Sequence, residues 1–229
     1  MAGEGSRFRD AGYTFPKPLI DVNGKAMVAQ VIDTLPDCEE YIFMCRFDHL
    51  EKYKLEEMLQ SATDHRATII PVHNLTEGAA CTALLAKYCI NDEKPLIIAN
   101  SDQFVDYNKQ NFKSLVNFSE ADGIIFTFNA CHPKWSFAEL DENGQVVRVE
   151  EKNPISNVAT CGLYYFSSGS LFIRAAESMI AKDIRTNGEF YLCPVYNELK
   201  EHIILPFFVD KMFGLGTPED LEAYLQWKS

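Results

Sequence analysis

The first eighteen residues hold the chain's densest chemistry. Gly3 and Gly5 have no Cβ, so their backbone can turn sharply and present N–H groups to an anion. Ser6 adds a small hydroxyl, and Arg7 adds a planar fork of donors matched to phosphate oxygens. Lys17 stands between Pro16 and Pro18, which stiffen the backbone and hold a point charge in place. A glycine pair alone fits an exposed loop, but followed by two fixed cations it suggests a polyphosphate cradle. Asp102 ends the run Leu96-Ile97-Ile98-Ala99-Asn100-Ser101-Asp102. A carboxylate beyond the end of an apolar strand can hold Mg2+ against triphosphate oxygens.

Two other phosphate motifs are excluded. Phe8 replaces the third glycine of the dinucleotide fingerprint, and no Gly-Lys-(Ser/Thr) follows to make a Walker loop. The net charge of -12 argues against nucleic acid as a partner. No apolar run reaches membrane-spanning length and no signal peptide precedes the loop, so a cytoplasmic protein is expected. The seven cysteines are scattered, without a Cys-x-x-Cys pair, and are expected to be buried free thiols.

The elements that must position these groups follow from periodicity. Met27, Val28, Val31, Ile32 and Leu35 have helical spacing, ended by Pro36. Tyr41 to Cys45, Ala67 to Val72 and Leu96 to Ala99 are apolar strands, the last expected to be fully buried. Helices are expected between them, one running from Ala79 through Tyr88. This alternation predicts a largely parallel sheet with helices on both faces, whose ligands sit beyond the carboxyl ends of the strands. After a helix near 109–119 the pattern changes. Strands are predicted from Gly123 to Phe128, in a hairpin turning tightly at Asn143-Gly144, from Val158 to Phe166, and from Ile203 to Val209. Helices are predicted through Leu171 to Ile180, from Glu189-Phe190-Tyr191, and from Pro218 to Trp227. With no repeat or linker, residues 1–229 read as one domain, with a nucleotide half to about residue 120 and an acceptor half after it.

Gly3-Glu4-Gly5-Ser6-Arg7-Phe8, followed by Pro16-Lys17-Pro18, resembles the signature of the sugar-phosphate nucleotidylyltransferases. The resemblance implies their fold, a Rossmann-like three-layer α/β sandwich with a mostly parallel mixed central sheet. In that family the loop follows a short apolar strand, whereas here the chain starts at the loop, so a sheet lacking that strand is expected. The resemblance further implies that Ala2, Gly3, Gly5 and Ser6 bind nucleotide, that Arg7 and Lys17 are catalytic, and that Asp102 holds Mg2+. Gly78 matches the glycine facing the base, and His73 falls where relatives often carry a base-reading Gln. Lys152, after Glu151, matches the lysine that holds the acceptor phosphate. Gly162 and Glu189 match the acceptor-side strand glycine and the acidic residue that binds sugar hydroxyls. The family's second metal ligand would fall at Gly214, which leaves Asp210 as a substitute.

The implied reaction joins an NTP to a sugar 1-phosphate or similar small phosphorylated acceptor, with release of pyrophosphate, in the service of surface polysaccharide synthesis. Two readings stay open beside it, a non-catalytic nucleotide-binding or regulatory protein and a glycosyltransferase of related fold. A homo-oligomer is compatible with the sequence, and neither the base nor the acceptor is legible in it.

Overall fold

The computed structural model describes Met1 and residues 6–228. Its architecture is mixed α/β, and the chain divides into two compact units. The first comprises residues 1–75, 100–106 and 211–229, and the second residues 76–99 and 107–210.

In the first unit, Tyr41–Arg46 runs parallel to Ala67–Val72, in register from Tyr41↔Ala67 to Arg46↔Val72. Helix Met27–Thr34 lies between two cores. Its Met27 packs with Phe8, Ile20, Val22, Leu215, Leu221 and Tyr224, while Val28 and Ile32 pack with Cys45, Leu55 and Leu59. Asp21–Val22 and Lys25–Ala26 pair around Asn23-Gly24, both with positive φ, as a tight two-residue turn requires. A ribbon missed by periodicity pairs Gln103–Asp106 antiparallel with Lys211–Gly214. Helix Pro218–Lys228 closes the unit.

The second unit is built on a six-stranded sheet. Its centre is Val158–Phe166, all nine residues buried. That strand runs antiparallel to Gly123–Asn129, Ser136–Leu140 and Leu96–Ala99. Ile204–Phe208 lies parallel to Gly123–Asn129, and Val146–Glu151 antiparallel to Ser136–Leu140. Among the described residues, parallel pairing is confined to Ile204–Phe208 with Gly123–Asn129 here and to Tyr41–Arg46 with Ala67–Val72 in the first unit. Leu96–Ala99 is only partly buried, because among the described strands it has one neighbour. Helix Gly169–Ala181 is capped by the Ser168 hydroxyl, which accepts from Leu171 N at 3.2 Å.

Other expectations are corrected by local geometry. The helix expected from Ala79 through Tyr88 is two pieces, Ala79–Leu84 and Lys87–Ile90. At Asn143-Gly144 only Gly144 has positive φ, and the Asp141 carboxylate takes the amides of Asn143 and Gln145, so the loop is longer than a two-residue turn. All seven cysteines are free, but Cys45, Cys161 and Cys193 are buried whereas Cys89 and Cys131 are exposed.

Phe8, 1% exposed, fixes the short helix Ser6–Asp10 to its unit's core. Phe8→Ala is expected to lower stability by about 3–5 kcal/mol, as for other buried Phe truncations. Urea unfolding measures this, and a loss below about 1 kcal/mol would remove Phe8 as the anchor of that helix.

Candidate functional site

Each unit carries one cluster of chemically competent side chains. In the first, the prolines act as the sequence suggests. Pro16 is extended (φ −56°, ψ 145°), and Lys17–Leu19 forms a 3-10 turn closed by Leu19 N to Pro16 O at 2.8 Å. The Lys17 ammonium donates to Asp102 Oδ2, with the two side chains 22% and 27% exposed. Asp102 is held from behind as well, since its carbonyl accepts from Leu215 N at 2.7 Å. That bond extends the ladder that ends at Gly214↔Gln103. Gly216 then passes so close that a Cβ there would lie 3.1 Å from Asp102 Oδ2 and 3.7 Å from Lys17 Nζ.

Arg7 lies exposed on helix Ser6–Asp10, which Ser6 opens. Ala2, Gly3 and Gly5 lie outside the described residues, as does the Ser6 side chain. His73 follows strand Ala67–Val72, and Phe47 follows Tyr41–Arg46. Their rings meet at 4.5 Å between centroids, tilted by 32°, beyond the carboxyl ends of this parallel pair. Phe47 escaped the sequence reading because a lone aromatic after a strand is ordinarily packing.

Asp102 is the residue of this cluster that could hold a metal. Asp210 precedes Lys211 and belongs to the second unit, while Gly214 pairs with Gln103. Among the described residues no group of three His, Cys, Asp or Glu side chains gathers. One carboxylate beside a lysine does not make an all-protein cage. It does fit Mg2+, which keeps its waters and is bound through one or two carboxylates plus substrate phosphates.

In the second unit, Lys152 follows strand Val146–Glu151 in a left-handed conformation, φ +56°. A lysine pays strain there of roughly 1 kcal/mol or more. Its amide donates to Trp135 O at 3.0 Å. Its ammonium donates to the Tyr191 hydroxyl at 2.5 Å and lies 4.6 Å from that ring's centroid. Sequence reasoning missed Tyr191, although it stands two residues after Glu189. Glu189 does not open a helix. It closes a hairpin with Thr186, each amide donating to the other's carbonyl at 3.0 Å, around Asn187 (φ 50°) and Gly188 (φ 83°). The next helical piece starts at Cys193.

Gly162 has φ +72° within a register shift between Thr160 and Tyr164, so the central strand bulges there. Gly78 has φ +135°, and a Cβ on it would lie 2.4 Å from Phe190 O. No side chain fits that approach. The second unit therefore gathers Lys152, Tyr191 and Glu189, and docks Gly78 on the neighbouring Phe190.

Glu151 underlies this cluster, 9% exposed, and accepts from the Ser136 hydroxyl. Burial pushes its carboxyl pKa above the usual range, against the opposing pulls of the Ser136 bond and Lys152. The folded chain thus holds this proton to higher pH than the unfolded chain. The stability it contributes is complete below the unfolded value of about 4.3 and is lost as pH rises through the folded value. Glu151→Gln removes the titration and keeps an acceptor for Ser136. The stability of the variant relative to the parent is expected to increase between about pH 4 and pH 7, measured by denaturant unfolding at each pH. An unchanging difference would contradict the raised carboxyl.

A family model described as Nucleotidyl transferase matches residues 1–201. The bifunctional protein GlmU of Methanocaldococcus jannaschii is 25% identical over 167 residues, covering 72% of this chain and 38% of that protein. The mannose-1-phosphate guanylyltransferase catalytic subunit beta of Drosophila pseudoobscura pseudoobscura is 25% identical over 232 residues, covering 96% of this chain and 58% of that protein. The chain thus spans less than two thirds of these relatives' lengths. Among solved structures, the nucleoside-diphosphate-sugar pyrophosphorylase from Vibrio cholerae RC9 superposes with a TM-score of 0.80 at 25% identity, covering 98% of this chain and 97% of that one. A UDP-glucose pyrophosphorylase complexed with UDP-glucose, at 17% identity and a TM-score of 0.74, shares the fold. With the family model matching from the glycine loop past the Glu189 hairpin, the chain belongs to the nucleotidyl transferase family.

Proposed function

We propose that the chain transfers a nucleotidyl group from an NTP to a sugar 1-phosphate or similar small phosphorylated acceptor, releasing pyrophosphate. The observation that carries this reading is the Lys17–Asp102 pair, joined across 85 residues within the family-matched segment. The names of the relatives agree with it, since they include a guanylyltransferase and pyrophosphorylases.

An acceptor phosphate oxygen attacks the α-phosphorus in line. A bond forms between that oxygen and the α-phosphorus, the α–β bridging bond breaks, and pyrophosphate leaves with the electron pair. The acceptor is already an anion, so no protein nucleophile is needed. The side chains position the reactants and neutralise charge. We assign Ala2, Gly3, Gly5 and Ser6 to nucleotide binding, and Arg7 to stabilising the charge at the reacting phosphorus. Lys17 neutralises phosphate oxygens, and Asp102 is the carboxylate that would hold a divalent cation. Mg2+ bound there would supply charge neutralisation for the triphosphate. We assign His73 and Gly78 to nucleotide binding. Lys152 holds the acceptor phosphate, while Gly162 and Glu189 face the acceptor's remaining groups. Surface polysaccharide synthesis in the cytoplasm is the setting we propose for the product. Among the described residues no helix is long and apolar enough to cross a membrane.

Gly214, standing where a second carboxylate would assist the metal, favours a second reading, a protein that binds nucleotide without turnover. Pyrophosphate release separates the two. Each of four NTPs is incubated with Mg2+ and a panel of sugar 1-phosphates and small alcohol phosphates. Release that requires one NTP and one acceptor, and that stops with EDTA, is the expected outcome. Lys17→Met and Asp102→Asn are each expected to cost about 10²–10³ in kcat, by analogy with loss of an oxyanion donor. Nucleotide binding without release under every pairing would establish the second reading instead.

A further inference from the structure

Arg185 lies outside the machinery assigned above, yet its guanidinium has four partners in the second unit. Nη2 donates to Glu77 Oε2 at 2.6 Å, Nε to Asp183 Oδ1 at 2.5 Å, and Nη1 to Gly188 O at 3.0 Å. The guanidinium carbon lies over the Phe190 ring, 3.9 Å from its centroid. Isolated surface ion pairs contribute little. Here the fork joins the loop at Glu77 to the 183–190 stretch and lies over an aromatic ring, a set of contacts that a lysine ammonium would reproduce only in part.

The segments it joins are also bonded through their backbones. Phe190 N donates to Glu77 O at 2.8 Å, and Ala80 N donates to Phe190 O at 3.0 Å. Gly78, between those two bonds, leaves no room for a Cβ against Phe190. On one side of Phe190 therefore lies the loop carrying Gly78. On its flanks stand Glu189 and Tyr191, the latter in contact with Lys152.

We propose that Arg185 is a positioning residue that locks the Glu77–Gly78 loop to the Asn187–Tyr191 hairpin, so that the base-facing loop and the acceptor-facing hairpin order together. This rests on the transfer reaction proposed above. A ligand that orders one segment lowers the cost of ordering the other, and the coupling is reciprocal. The NTP is then expected to tighten acceptor binding by about fivefold or more, and the acceptor to tighten the NTP by the same factor.

The test compares the parent chain with Arg185→Gln, Arg185→Lys and Glu77→Gln. Hydrogen exchange of the unliganded proteins is followed at residues 76–82 and 185–192, alongside thermal unfolding. In Arg185→Gln, both segments are expected to lose protection by a similar factor, on the order of tenfold for a charge-assisted fork. Arg185→Lys is expected to recover part of it. If Arg185→Gln does not fold, Glu77→Gln, altered at an exposed carboxylate, gives the same paired loss at smaller size. Faster exchange at 185–192 with 76–82 unchanged would overturn the proposal. In the pyrophosphate assay, Arg185→Gln is expected to raise KM for both substrates about tenfold while kcat stays within about threefold. A fall in kcat with both KM values intact would also overturn it. A parent chain that is inactive with every NTP and acceptor defeats the transfer reading alone, because the exchange measurement still decides whether the two segments are locked.

Discussion

One electrostatic constraint organises the first unit, the need to place fixed positive charge in a chain whose net charge is -12. Lys17 meets it by surrendering freedom. Proline on each side and a 3-10 turn hold its backbone, and its ammonium is paired with Asp102. A polyanion competing for Lys17 meets an ammonium already aimed and already part-desolvated, so the reorganisation that weakens surface charges is largely complete beforehand. The aspartate is positioned with equal care, by the ribbon behind it and by Gly216 beside it.

The second unit solves a different problem, close backbone approach. Phe190 donates to and accepts from the loop around Gly78, and the central strand bulges at Gly162. These backbone devices are held by a conventional core. Phe207 meets both Phe112 and Phe126 edge to face, and the Tyr196 hydroxyl donates to Tyr165 O at 2.8 Å. The rigid part is apolar and central, and the polar groups stand at its margins on turns.

Much of this was legible because local chemistry and global packing agree. Val158–Phe166 has the largely apolar character of a strand buried on both faces, and the helix from Met27 follows its periodicity. The stiff backbone around Lys17 could be foreseen from proline's fixed φ, whereas the 3-10 turn it forms could not. What escaped was short or shared. Gln103–Asp106 and Lys211–Gly214 have four residues each, too few for a period, and each is a strand only because the other exists. Asn143-Gly144 and Asn187-Gly188 look alike in sequence. Asp141 captures two amides at the first and lengthens the loop, while the second keeps the two-residue form, so an Asn-Gly pair does not by itself settle the turn. The pairing of Lys17 with Asp102 was invisible as a contact, although both residues could be named from their types and settings. Tyr191 was passed over because a tyrosine carries no distinctive signal until a cation is placed against it.

Asn187 has a consequence for how a map of mutational tolerance should look. Exposed positions are usually the permissive ones, and Asn187, Gly188 and Lys152 all lie outside the buried set. Yet all three hold positive φ, which most side chains adopt only at a cost. Their tolerated alphabet is set by backbone handedness rather than by contact, and it should be narrow and rich in Gly, Asn and Asp. On the surface of this chain, intolerance would then mark left-handed backbone as often as it marks chemistry. Lys152, where both apply, would accept neither glycine's freedom nor another residue's charge as a full replacement.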